Sequence, residues 1–400
     1  MTYDVASVRK QFPALAEGAA HFDGPGGSQT PEVVGDAVAR TLTAAVSNRG
    51  RRTAAERRAD DIVVAARQAM ADLLGADPAG VVFGRSMTAL TYDFARTLAK
   101  SWQPGDEVVV TRLDHDANIR PWVHAAQAAG ATVRWADFDP TTGELEVDAV
   151  AALLGERTRL VAVTGASNLL GTRPAVADIA GRVHEAGALL YVDGVHLTPH
   201  APVDVEAFGA DFYACSPYKF LGPHCGVLAA RPALLDELRP DMLLPASDAV
   251  PERFELGTLP YELLAGTTAA VDFLADLAPG NGSRRERLGT ALADLAGHED
   301  ALCRQVEQHL DDLDRVRLYG HARSRTPTLL FSVDGVDSAT VSDALADRGV
   351  NAPAGSFYAI EASRWLGLGD AGAVRIGIAP YTDSSDVDRL LRAVQEVVST

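Results

Sequence analysis

Lys219 sits in "DFYACSPYKFLGPHCGVLAA" (211–230), between a Ser-Pro-Tyr turn and a Gly-Pro turn, with an apolar run on either side. Lysine is rarely buried without a partner, so this placement asks for a chemical reason. Upstream, "ALLYVDGVH" (188–196) closes an apolar run with Asp193, Gly194 and His196. An amine and a carboxylate at two neighbouring strand ends support two readings. One is a structural salt bridge. The other is a pyridoxal phosphate site, in which the amine condenses with the cofactor aldehyde and the acid pairs with the ring nitrogen. The carboxylate favours the protonated ring by opposite-charge attraction, and a protonated ring is the better electron sink. A phosphate on that cofactor needs donors. The stretch "VFGRSMTALTYDFARTL" (82–98) offers a strand end, a turn and a helix start, with free N–H groups around Met87 and hydroxyls on Ser86 and Thr88. Ser216, three residues before Lys219, is a further hydroxyl donor. Serine and threonine at helix starts also act as simple caps.

These residues must be held by elements that the sequence punctuates clearly. Candidate strands are 80–84, 106–112, 132–138, 159–165, 188–194, 211–216 and 226–230, with amphipathic segments such as 123–127 and 175–186 between them. The alternation predicts an α/β fold with a mostly parallel sheet covered by helices. The continuous apolar runs "LVAV" and "ALLYV" suit strands buried on both faces. Ligands bind beyond the carboxyl ends of such strands, which is where Asp193 and Lys219 fall. Residues 261–277 read as a helix stopped by the breaker cluster "PGNGS", and 286–313 as another helix. Then come a strand (326–335), a helix (338–349), a strand (373–381) and a helix (384–398) with Ser384 or Ser385 as its cap, a small α+β unit. The expected division is an N-terminal segment (1–20), a large domain (21–260), a connecting helix and linker (261–285) and a small domain (286–400).

The chain has 400 residues and a formal net charge of −18, which disfavours nucleic acid and anionic membranes as partners. No apolar run is long enough to span a bilayer, and the N-terminal pattern lacks a signal-peptide core, so a cytoplasmic location is expected. Cys215, Cys225 and Cys303 form no CxxC pair and no metal-ligand pattern, and read as small buried filler.

The order and spacing of "HFDGPGGSQTPEVV" (21–34), "DHDANIRPW" (114–122), "ASNLLGT" (166–172), "VDGVHLTPHAPVDV" (192–205), "SPYKFLGPHCGVL" (216–228), "ERFELGT" (252–258) and "VRIGIAPY" (374–381) resemble class V aminotransferase-like enzymes of the cysteine desulfurase and selenocysteine lyase group, over nearly the whole chain. The resemblance implies the fold-type I architecture of pyridoxal 5′-phosphate enzymes, a seven-stranded large-domain sheet and a homodimer with shared active sites acting on a small amino acid. It implies that Lys219 carries the cofactor, Asp193 pairs with the ring nitrogen and His196 lies near the ring's phenolic oxygen. His115 would cover a ring face, and Asn168 would bond the phenolic oxygen or the substrate carboxylate. Ser86, Met87, Thr88 and Ser216 would hold the phosphate, with Thr258 reaching that of the neighbouring subunit. Arg375 would grip the substrate carboxylate through its planar fork. Asn48, Arg49 and Arg51 match a segment that approaches the site in relatives, though "NRGRRTAAERR" also reads as a basic helix start. Tyr218 replaces the histidine of true desulfurases, and Phe357 and Tyr358 suit an apolar lid.

The resemblance breaks at one place. A desulfurase carries sulfur on a loop cysteine, and the matching segment here, "NAPAGSFYA" (351–359), has none. Serine is a poor substitute, because its hydroxyl ionises far above a thiol and holds no stable persulfide. The expectation is a C–S β-lyase of the desulfurase-like subfamily. Transamination and epimerisation are the alternatives, and a non-catalytic cofactor-binding module is the alternative of another class.

Overall fold

The computed structural model describes residues 3–278 and 280–399; Met1, Thr2, the breaker residue Pro279 and Thr400 lie outside the described residues. Its strands are β1 (Ala20–His21), β2 (Val81–Gly84), β3 (Glu107–Thr111), β4 (Thr132–Ala136), β5 (Thr158–Thr164), β6 (Leu189–Asp193), β7 (Phe212–Cys215), β8 (Gly226–Ala230), β9 (Val316–Tyr319), β10 (Thr328–Val333), β11 (Val350–Asn351), β12 (Ala354–Gly355) and β13 (Ala373–Gly377).

Seven of these form one sheet in the order β2-β8-β7-β6-β5-β3-β4. All run the same way except β8, which is antiparallel to both its neighbours. The expected α/β fold with a mostly parallel seven-stranded sheet is therefore what the chain adopts. Neighbouring residues of each strand enter opposite cores. Val161, Val163, Leu190 and Val192 pack into one, and Leu160, Ala162, Tyr191 and Phe212 into the other. Successive strand side chains point to opposite faces, so a sheet covered on both sides requires the unbroken apolar runs seen in the sequence.

The strand order also fixes the site. From β3 the chain moves outward to β4, then returns to the other side of β3 as β5 and continues through β6 and β7. The carboxyl ends of β3 and β5 thus flank a topological switch point, where connections diverge and leave a crevice.

A second sheet, β12-β13-β10-β9, is antiparallel throughout. Helices Ser338–Ala346 and Ser384–Ser399 share its core, which includes Leu329, Phe331, Val374 and Ile376. β9 went unread in the sequence because it is an edge strand of four residues, too short for the Val316/Leu318 alternation about Arg317 to stand out. The cap of the last helix is Asp383 rather than Ser384 or Ser385. Its Oδ1 accepts from the N–H of Ser385 at 2.9 Å and of Asp386 at 3.0 Å, because a carboxylate one residue upstream reaches both free donors. β1 pairs in parallel with β11, and Arg9 bonds Asp386 and the Tyr381 carbonyl, tying the N-terminal segment to this part of the molecule.

Candidate active site

A cavity of about 620 Å³ opens at the carboxyl ends of the large sheet. Lys219, Asp193, His115, His196, Met87, Thr88, Asn168, Ser216 and Arg375 all line it, contributed by six separated stretches of chain.

Asp193 ends β6, buried at 4% exposure, and its Oδ1 accepts from the Val195 N–H at 2.9 Å. Burial raises its pKa to about 7, opposed by that backbone bond and by Lys219. Lys219 ends the short 3-10 turn after β7 and donates from Nζ to the Pro25 carbonyl. Its side chain faces the cavity while its amine is enclosed. Burial, followed by the Arg375 cation, lowers its pKa to about 7, and Asp193 pulls it back up. The turn is pinned by Leu221, whose φ of 71° is unusual for a branched residue and whose N–H donates to Ser28 Oγ at 2.9 Å.

His115 follows β3 and caps a 3-10 turn, its Nδ1 accepting from the Ala117 N–H at 3.0 Å. That bond leaves the proton on Nε2, and burial lowers the pKa to about 4, so the ring is neutral. The turn hangs on buried Asp114. Its carboxyl accepts from the Thr111 hydroxyl and from Asn118 Nδ2 at 2.7 Å, and Trp122 Nε1 donates to Asn118 Oδ1 at 3.0 Å.

Arg375 stands in the middle of β13, 2% exposed, so it is a buried cation and not a solvated strand charge. Nη1 donates to the Asn168 carbonyl at 2.8 Å, and the guanidinium lies 3.7 Å from the Phe357 ring centre. Burial lowers its pKa to about 9, which leaves it charged at neutral pH. Asn168 donates from Nδ2 to the Phe357 carbonyl at 2.9 Å. Phe357 and Tyr358 both hold positive φ, 52° and 59°, a strained pair of the sort found at ligand sites. Tyr218 stacks on His224 at 4.7 Å, and burial raises its phenol pKa.

The helix Met87–Ala99 aims its first turn at the cavity. Ser86 is its cap, accepting from the Ala89 N–H at 3.1 Å, and it does not line the cavity. Gly226 of β8 passes so close that a Cβ there would fall 2.2 Å from Ser86 C and 2.5 Å from Met87 N.

Three sequence candidates lie elsewhere. Thr258, Asn48 and Arg51 are exposed and line no part of this cavity, while Arg49 is paired with Asp60 and Glu252 at 2.9 Å each. The three cysteines are buried and outside the lining, and burial raises every thiol, Cys225 to about 11 and Cys303 to about 12. Sequence reasoning gave no role to Pro25, Asp116, Arg120 or His124, which also line the cavity. Asp116 and Arg120 stand within the quoted "DHDANIRPW", where helical spacing pairs them at 2.8 Å.

The donor set fits pyridoxal phosphate. Asn168 Oδ1, His196 Nδ1 and Arg375 Nε are buried without partners, and all three belong to cavity-lining residues. Buried polar atoms are normally satisfied, so three orphans around one cavity mark where ligand atoms bind.

A family model described as aminotransferase class-V matches residues 20–390. An uncharacterized protein of Mycobacterium tuberculosis is 35% identical, the match covering 98% of this chain and 99% of the relative. A probable cysteine desulfurase of Pseudomonas aeruginosa is 32% identical over 96% of each chain. The cysteine desulfurase CsdA of Escherichia coli superimposes with a TM-score of 0.88 at 28% identity, covering 100% of this chain and 99% of that one.

Proposed function

Because the chain belongs to the class V aminotransferase family and is a pyridoxal-phosphate-dependent enzyme, we propose that it is a C–S β-lyase acting on a cysteine-derived amino acid, without a persulfide step. The observation that carries this reading is a cavity holding Lys219, Asp193 and Arg375 with no thiol on its wall among the described residues.

Lys219 Nζ would hold the cofactor, and Asp193 would pair with its ring nitrogen. Thr88, Ser216 and the N–H groups at the start of helix Met87–Ala99 take the phosphate, where the helix dipole favours negative charge. His115, neutral and held by Ala117 in the turn that Asp114 fixes, would cover one ring face. When bound, the cofactor supplies an electron sink for charge developing at the substrate Cα. Arg375, with Nη1 spent on Asn168, offers Nε and Nη2 to the substrate carboxylate. Lys219 Nζ would also be the base for the substrate Cα proton, and an amine that burial in this cavity holds to about 7 suits that task. The Cβ–S bond then breaks, the thiolate leaves, and water completes release of a keto acid and ammonia. Buried cysteines with raised pKa values are poor sulfur acceptors, which supports elimination over persulfide formation. Exposed Thr258, Asn48 and Arg51, away from their own cavity, support a homodimer in which they serve the partner's site.

The test is to load the purified chain with pyridoxal phosphate, supply cysteine S-conjugates, and measure keto acid and thiol. Equal release of both, lost in Lys219→Ala, is expected. Amino-group exchange with an added keto acid and no thiol release would replace the lyase by an aminotransferase.

A further inference from the structure

His196 is 2% exposed and lines the cavity, yet among the described residues only one of its ring nitrogens is bonded. Nε2 lies 2.9 Å from Thr328 Oγ1, at the start of β10 in the small sheet. Nδ1 is buried without a partner. Its charged and titratable neighbours are the His200 ring at 5.3 Å, itself bonded to Glu299, and Lys219, Arg375 and Asp193 around the cavity. Burial and the cations among them hold the ring neutral, so it carries one proton, on Nδ1 or on Nε2.

The hydroxyls behind it decide which. Thr326 Oγ1 stands 3.4 Å from both Thr328 Oγ1 and the Gly171 carbonyl, so its one proton has two acceptors, and Thr326 is anchored by its N–H to the same carbonyl at 2.8 Å. A threonine hydroxyl has one proton. Among the described residues His196 Nε2 is the one acceptor oriented to take the Thr328 hydroxyl proton, because Thr328 is the acceptor in its contact with Thr326, so Thr328 directs that proton at Nε2. Nε2 is then the acceptor, and the ring proton stands on Nδ1, facing the cavity. We propose that Thr328 is a positioning residue that locks His196 in the Nδ1–H tautomer, so that the cavity presents a fixed donor to an anionic oxygen of the bound cofactor ring. This deepens the pyridoxal phosphate reading at Lys219 and rests on it for the identity of the acceptor. The histidine belongs to the large sheet's loop and its lock to the small sheet, so the donor is set only when the two sheets are docked.

The test uses the full chain loaded with pyridoxal phosphate. Borohydride reduction followed by peptide mapping first checks attachment at Lys219, and failure there overturns the cofactor reading alone. Nitrogen–proton correlation spectra of ring-labelled histidine, with His196 assigned by its loss in His196→Gln, then give the tautomer with and without cofactor. Nδ1–H is expected in both states; Nε2–H, or a doubly protonated ring, overturns the proposal. Thr328→Val, close in shape, removes the donor and frees the ring to redistribute its proton. A weaker donor at the ring oxygen strengthens that oxygen's hold on the proton it shares with the Lys219 nitrogen. The pH midpoint of the visible band therefore rises by roughly half a unit to one unit, the scale of one hydrogen bond. Thr328→Ser keeps the hydroxyl and the wild-type midpoint. An unchanged midpoint in Thr328→Val with Nδ1–H retained, or an equal shift in Thr328→Ser, overturns the role of Thr328.

Discussion

The reactivity of Lys219 in the cofactor-free chain should reach its midpoint near pH 7. An ordinary lysine titrates near about 10.4, so at pH 7 roughly one amine in 2,500 is unprotonated. Burial and the Arg375 cation bring Lys219 to about 7, which makes half of it free base at the same pH, on the order of a thousandfold more. The chain has three lysines, Lys10, Lys100 and Lys219, so a competitive labelling experiment reads cleanly. Trace acetylation at a series of pH values, followed by proteolysis and mass spectrometry, gives the titration of each, with exposed Lys10 as the reference for reagent. Two variants should move the midpoint in opposite directions. Arg375→Gln removes a repelling cation and raises it; Asp193→Asn removes the carboxylate that favours the ammonium and lowers it. A wild-type midpoint near the ordinary lysine value, or a shift of the same sign in both variants, would show that the cavity does not tune this amine as argued.

Three further outcomes follow from the same geometry. Lys219→Met should raise the thermal stability of the cofactor-free chain at pH 6, because a folded-state pKa of about 7 lies below the unfolded value. The penalty on the buried ammonium is complete below about pH 7 and fades as pH rises toward about 10, so the gain should shrink over that window in melts at successive pH values. Gly226→Ala should push back the start of helix Met87–Ala99, since backbone atoms cannot swing aside as a side chain can. A loss of about 1–3 kcal/mol in denaturant unfolding and weaker retention of pyridoxal phosphate on dialysis are expected. Asp114→Ala removes the acceptor for Thr111 and Asn118 in a site without solvent, and should cost roughly 2–4 kcal/mol while broadening the ring resonances of His115.

Much of the scaffold was legible in the linear chain. Strand runs such as "LVAV" and "ALLYV" are apolar at every position because both faces of the sheet are covered, and that pattern survives in one dimension. Lys219 and Asp193 were legible for a related reason. A charge that ends an apolar run must have either a partner or a task, and both fall at carboxyl ends of parallel strands. The start of helix Met87–Ala99 could be seen in "GRSMT", though not that Ser86 would spend its oxygen on Ala89 and leave Thr88 to face the cavity. Which hydroxyl caps and which is free depends on the direction of entry into the helix, and Gly226, 140 positions away, helps set that direction.

The rest belongs to the tertiary structure alone. Nothing in "VRIGIAPY" states that Arg375 is buried against Phe357, or in "TPTLLF" that Thr328 reaches His196. Nor does composition say that Lys219 titrates near 7. Residue types limit which charges and donors exist, and periodicity limits which element carries them. Burial, and the distance between groups far apart in the chain, set their protonation and direction, and those arise only when the small sheet closes over the switch point of the large one.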